Sequence, residues 1–145
     1  MNIIKDNILS AVCFIAVVVL SVIPLPEVPE LEGVPLMDKW VHFVMYGGLT
    51  LCAWYDIYKN RTSKKVDIKT LLITFVYPTA TGGLLELVQE HLTTTRNGDW
   101  QDFIADEIGV VIGIFLGITI VRQYAYKTYQ KARFMRRKHD NAEDE

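Results

Sequence analysis

Cysteine is scarce in this chain, with two residues in 145. Cys13 and Cys52 both fall inside apolar runs, without CxxC spacing or a nearby histidine, so they read as small apolar residues and not as metal ligands. The signatures of the commonest enzyme chemistries are also missing: there is no HExxH, no GxSxG, no phosphate-cradling P-loop and no paired Arg/His motif of the kind membrane lipid phosphatases carry. That weakens an enzymatic reading without closing it, because a site can be assembled from several helices with no local motif. Charge, finally, is absent from long stretches. Residues 7–26, 40–55, 70–85 and 108–121 contain no Asp, Glu, Lys or Arg, and the only titratable polar residue of note among them is His42.

Against that background the mean hydropathy, +0.18, is misleading, since the charges are packed into a few short segments. With polar ends that reach an interface, each uncharged run extends to about 17 to 22 helical residues, roughly the length needed to cross hydrocarbon. The fold class expected is therefore all-α: a polytopic membrane protein, a bundle of four transmembrane helices at about 7–23, 38–58, 68–91 and 100–121. The first span is read as uncleaved, because Ile23, Pro24 and Leu25 follow it where a signal peptide needs a small-x-small site. Four prolines and three glutamates between 24 and 37 make an extended acidic loop. Trp40 and Trp54 mark the two interfaces of the second span. Pro78 is expected to kink the third, and Gly82 and Gly83 allow close approach just before Glu86. Residues 1–121 thus form the membrane domain, and 122–145 a tail that is basic and aromatic, then acidic. The tail reads as a helix continuing along the membrane surface and anchoring it, in preference to a nucleic-acid-binding segment.

Sidedness follows from counting cations. With the N-terminus inside, Lys5, five residues between Lys59 and Lys69 and seven from Arg122 onward are cytoplasmic. Only Lys39 and Arg96 of the 15 Lys and Arg lie outside. Both termini are then cytoplasmic, and the polar residues of three spans converge on the outer side. Asp38 and His42 open the second, Glu86, Gln89 and Glu90 close the third, and Asp102 and Asp106 open the fourth. At 1.5 Å per residue, His42, Glu86 and Asp106 share a depth of roughly 5 to 8 Å below the boundary. Gly109, Gly113 and Gly117 continue the Asp102/Asp106 face as a helix-packing stripe.

The pattern Asp38-Lys39-x-x-His42, then Glu86-x-x-Gln89, then Arg96 with Asp99, Asp102 and the Gly109/Gly113 pair, resembles the VanZ-like family of small bacterial integral membrane proteins. The resemblance spans nearly all of residues 1–121. It implies a four-helix protein of the bacterial cytoplasmic membrane, in a family named for a member associated with teicoplanin resistance. Where that family usually carries Asn, this chain has Asp106, followed by Glu107.

Three functions fit the residues. In the first, Asp38, Lys39, His42, Glu86, Gln89, Arg96, Asp99, Asp102 and Asp106 bind a lipid-linked or peptide component of the cell envelope. Cations and helix N-termini would meet its phosphate or carboxylate, and the acids its amines or hydroxyls. In the second, His42 and Glu86 are an acid-base pair. In the third, the same groups hold a metal or relay protons. Each residue also has a plainer role: Asp99 caps the fourth helix, and Lys39 and Arg96 neutralise nearby acids. No cofactor, no assigned metal and no nucleic-acid partner is expected, and the apolar inner halves of the spans argue against a channel.

Overall fold

Where the charge-free runs lie, helices form. The computed structural model describes residues 7–22, 36–61, 63–92 and 99–143. They are all-helical: α1 (Ile8–Val22), α2 (Met37–Tyr58), α3 (Ile68–Leu92), α4 (Trp100–Leu116), a π-helical turn (Gly117–Val121) and α5 (Arg122–Glu143). The acidic proline-rich loop, Lys5 and Arg96 lie outside the described residues. By length and composition, Ile68–His91 and the continuous stretch Trp100–His139 are long and apolar enough to cross a membrane, and Ile8–Val22 is a shorter apolar helix.

Two helix starts are fixed by side chains. Asp67 precedes α3 and accepts the Thr70 amide at 2.7 Å, and Asp99 accepts the Gln101 amide at 2.9 Å at the start of α4. Hydrogen bonds with Thr70 hold the Asp67 carboxyl below its ordinary value, and the Gln101 amide, followed by Lys39, does the same for Asp99. Helix α3 runs unbroken through Pro78, which is buried.

Helix α2 sits at the centre, packed against α1, α3 and most extensively α4. The reason lies in the glycines. A Cβ at Gly109 would overlap the Phe43 carbonyl, one at Gly113 would sit 2.8 Å from Thr50 Cβ, and one at Gly117 would overlap the Trp54 indole. From α2, Gly47 meets Gly109 in return. Backbone therefore lies on backbone along most of α4, with Tyr46, Leu49 and Val110 filling the core beside it. Beyond Gly117, Trp54 and Tyr58 stack with rings 5.5 Å apart and Ala125 of α5 closes over them.

Polar side chains share the interior with the apolar core, and many large apolar ones lie outside. Ser10, Thr50, Thr74, His42, Asp56, Asp102 and Asp106 are buried, while Val12, Ile15, Phe75, Val76, Val111 and Phe115 are exposed. At the far end of α2, buried Asp56 accepts the amide and hydroxyl of Ser10 at 2.7 and 2.8 Å and the Lys59 ammonium at 2.7 Å. A carboxylate on the first turn of α1 meets both the free amides and the positive end of that helix, and so ties α1 to α2.

The glycine seam separates two substitutions of identical chemistry. Gly109→Ala drives a methyl into backbone that cannot yield, and is expected to destabilise the purified protein by about 1 to 3 kcal/mol. Gly48 has nothing within 4 Å of an added Cβ, so Gly48→Ala should be neutral or stabilise by about 0.5 to 1 kcal/mol. Thermal unfolding in detergent, followed by circular dichroism, checks both; equal losses would contradict the packing.

Candidate functional site

The α2–α4 contact fixes the site. One turn before Gly109, Asp106 is fully buried, and across the seam His42 is buried with it. His42 Nδ1 lies 2.9 Å from Asp106 Oδ1, so the Nδ1–H tautomer donates to the carboxylate and fixes the ring. The ring stacks at 6.4 Å on Tyr46, one turn further along α2. Around it stand two more carboxylates, Glu86 Oε1 at 4.0 Å from Nδ1 and Asp102 Oδ2 at 3.9 Å from Nε2.

Lys39 joins the remaining acids. Its ammonium donates to Asp102 Oδ1 at 2.7 Å and to Asp99 Oδ2 at 3.1 Å. Asp99 in turn donates its amide to Glu86 Oε2 at 2.8 Å, which links α4 to α3. Asp99 is thus a helix cap, an ion-pair partner and a bridge at once. Asp38, exposed at the start of α2, brings a carboxylate oxygen within 4.8 Å of His42 and Asp102. Three helices contribute to one connected network.

Gln89 is buried and donates to the Ser21 carbonyl at 2.8 Å, packing α3 on α1. Glu107, next to Asp106 in the chain, accepts the hydroxyl of Thr79 on α3 at 3.0 Å. Arg96 falls outside the described residues. Tyr46 and Gly82 belong to the site as well. Asp106 Oδ2 has no hydrogen-bond partner among the described residues, and a Cβ at Gly82 would lie 2.9 Å from it. The glycine before Glu86 is the space into which Asp106 fits. Nothing in the sequence marks Tyr46 except its position four residues after His42.

The network reaches the surface through Glu86 and Asp99. These two line a cavity of about 310 Å³ with Glu90, Trp100, Phe103 and Gly83. Its described walls therefore combine carboxylates with two aromatic rings. Such walls suit an amine or a hydroxyl, through charge-assisted hydrogen bonds and cation–π contact, better than a phosphate. Metal-ligand geometry is also within reach: Asp38, His42 and Asp102 form one set, and His42, Glu86 and Asp106 another, with the ligand atoms of each set within 4.8 Å. Both sets share His42, approached by Asp102 at Nε2 and by Glu86 and Asp106 at Nδ1.

Removing the lysine tests the network's energetics. Lys39→Met takes the ammonium from the buried Asp102 and is expected to destabilise the protein by about 3 kcal/mol, and Asp102→Asn in the same chain should recover most of that loss. Chemical unfolding of the two single variants and the double variant gives the coupling; simple additivity would show that the pair does not hold the site together. No family model, curated protein or solved structure matches this chain.

Proposed function

We propose that this chain is a multi-pass protein of the bacterial cytoplasmic membrane, both termini inside, whose His42-centred network at the outer face binds or remodels a component of the cell envelope. The observation that carries the reading is the connection of a buried three-helix polar network, through Glu86 and Asp99, to an open acidic and aromatic cavity. Buried ionisable groups are expensive among apolar helices and persist where they serve a ligand.

The membrane reading draws on three supports. Two helical stretches have the length and apolarity of spans. Large apolar side chains face outward while polar ones face inward. Lys39 and Lys59 begin and end the apolar length of α2; twenty residues at 1.5 Å separate them by roughly 30 Å, the thickness of a bilayer's hydrocarbon. Orientation rests on the excess of cations at the Lys59 end and in α5.

Within this reading the ligand presents an amine or hydroxyls to Glu86 and Asp99. Two of the three donors of the Lys39 ammonium are taken by Asp99 and Asp102. A lipid-linked cell-wall intermediate carrying a peptide or amino sugar has such groups. Altered handling of this material is how a resistance phenotype of the VanZ-like kind, against teicoplanin, would arise. A catalytic variant of the same reading rests on His42 as the acid-base group, its Nδ1 facing Asp106 and Glu86 and its Nε2 facing Asp102. A metal held by either His42-containing set is the remaining variant.

Titrating the purified protein with a lipid-linked disaccharide-peptide should change the fluorescence of Trp100, which lines the cavity. Glu86→Gln should weaken this binding at least about tenfold, roughly 1.4 kcal/mol, and His42→Ala comparably, with membrane insertion unchanged. Wild-type binding in both variants overturns the reading. Formation of a new product only by the wild-type protein would make the site catalytic, and stoichiometric metal lost in His42→Ala would make it a metal centre.

A further inference from the structure

At the opposite end of α2 from His42 lies a second cavity, of about 590 Å³, and its chemistry is the reverse of the first. One wall is the last turn of α2, with Tyr55, Lys59 and Asn60. The other is a single stripe of α5: Ala125, Tyr129, Ala132, Arg133, Arg136 and Arg137 follow one another at spacings of three and four residues or their neighbours, which is one helical face. The stripe begins fully buried at Ala125, packed against Trp54 and Tyr58, and becomes cationic as the helix leaves the bundle.

Among the described residues, no carboxylate lines this cavity. Lys59 is engaged by Asp56, but among the described side chains Arg133, Arg136 and Arg137 form no ion pair. Like charges crowded along one wall repel each other, and an anion between them relieves that repulsion. Arginine's planar fork matches two oxygens of a phosphate, and the tyrosine hydroxyls of the walls can donate to a third. Phe134 and Met135 on the same helix are exposed beside the arginines. Apolar side chains interleaved with cations in this way suit a helix lying at a lipid–water boundary.

We propose that this groove is a binding site for the phosphate-bearing headgroup of an anionic phospholipid, held by Arg133, Arg136 and Arg137 between α5 and the end of α2. The proposal rests on the membrane reading above, since it places the groove at the cytoplasmic boundary, where anionic lipids concentrate. It is independent of what the His42 site binds. A nucleic acid would track several phosphates along an extended surface, whereas this is one short groove between α5 and the end of α2.

The test uses the full chain in a neutral detergent, titrated with phosphatidylglycerol and with phosphatidylcholine of the same acyl chains, with bound lipid counted by native mass spectrometry. Phosphatidylglycerol is expected to bind at least about tenfold more tightly. Arg133→Gln with Arg136→Gln should abolish that preference. Lys127→Gln with Lys131→Gln removes the same charge from residues outside the cavity's wall and should preserve it. Equal loss in the two pairs, or no preference in the wild-type chain, overturns the proposal. Displacement by equimolar inorganic phosphate would assign the groove to free phosphate, and tighter binding of a single-stranded oligonucleotide would assign it to nucleic acid; either overturns the lipid. Glu86→Gln should leave the lipid preference intact, so failure here does not touch the His42 site. A chain removed from membranes by a carbonate wash would instead overturn the membrane reading shared by both.

Discussion

Everything else in this structure depends on how closely the backbones of α2 and α4 approach. Helices embedded among other apolar groups gain little from burying leucines against each other and associate where small residues let their backbones touch. Here Gly109, Gly113 and Gly117 meet Phe43, Thr50 and Trp54, and Gly47 answers from the other side. That contact leaves no freedom of register. His42, next to Phe43, and Asp106, three residues before Gly109, are brought to 2.9 Å as a consequence. Gly82 of α3 completes the arrangement, because a side chain there would occupy the space of Asp106 Oδ2.

The same scaffold carries two polar ends of opposite character. At the His42 end, carboxylates outnumber cations around a cavity with aromatic walls. At the Lys59 end, Asp56 satisfies Ser10 and Lys59 inside the bundle, while arginines of α5 line the second cavity. Between them, threonines at 50, 70, 74 and 81 are buried and large aliphatic side chains face out. Thr50, Thr74 and Thr81 return their hydroxyls to carbonyls one turn back, so their polarity costs little in an apolar environment.

Periodicity made part of this legible before any coordinates. A constant helical rise is why His42, Glu86 and Asp106, each a turn or so into its own helix, could be expected at one level. The four-residue spacing of the glycines pointed to one face of α4. What could not be read were the choices between neighbours. Gln89 is three residues from Glu86, and that offset swings it toward α1 and the Ser21 carbonyl. Lys39 could have met a ligand, but two carboxylates brought up by α4 take its ammonium. Asp56 and Ser10 are 46 residues apart with no local motif to join them. The widened turn from Gly117 to Val121, closed by the Arg122 amide on the Gly117 carbonyl, also has no sequence signature; it sits where α4 passes over the Trp54 indole.

The central question is whether the His42 network faces outward from a membrane-embedded bundle. Single cysteines placed at Asn97, between α3 and α4 in the sequence, and at Ser63, between α2 and α3, in a chain carrying Cys13→Ala and Cys52→Ala, decide this with a membrane-impermeant thiol reagent. In intact cells Asn97→Cys is predicted to label and Ser63→Cys to label only after the membrane is opened. Labelling of Ser63→Cys alone in intact cells would invert the protein and place the His42 site on the cytoplasmic side; labelling of both would contradict the bundle's crossing of the membrane.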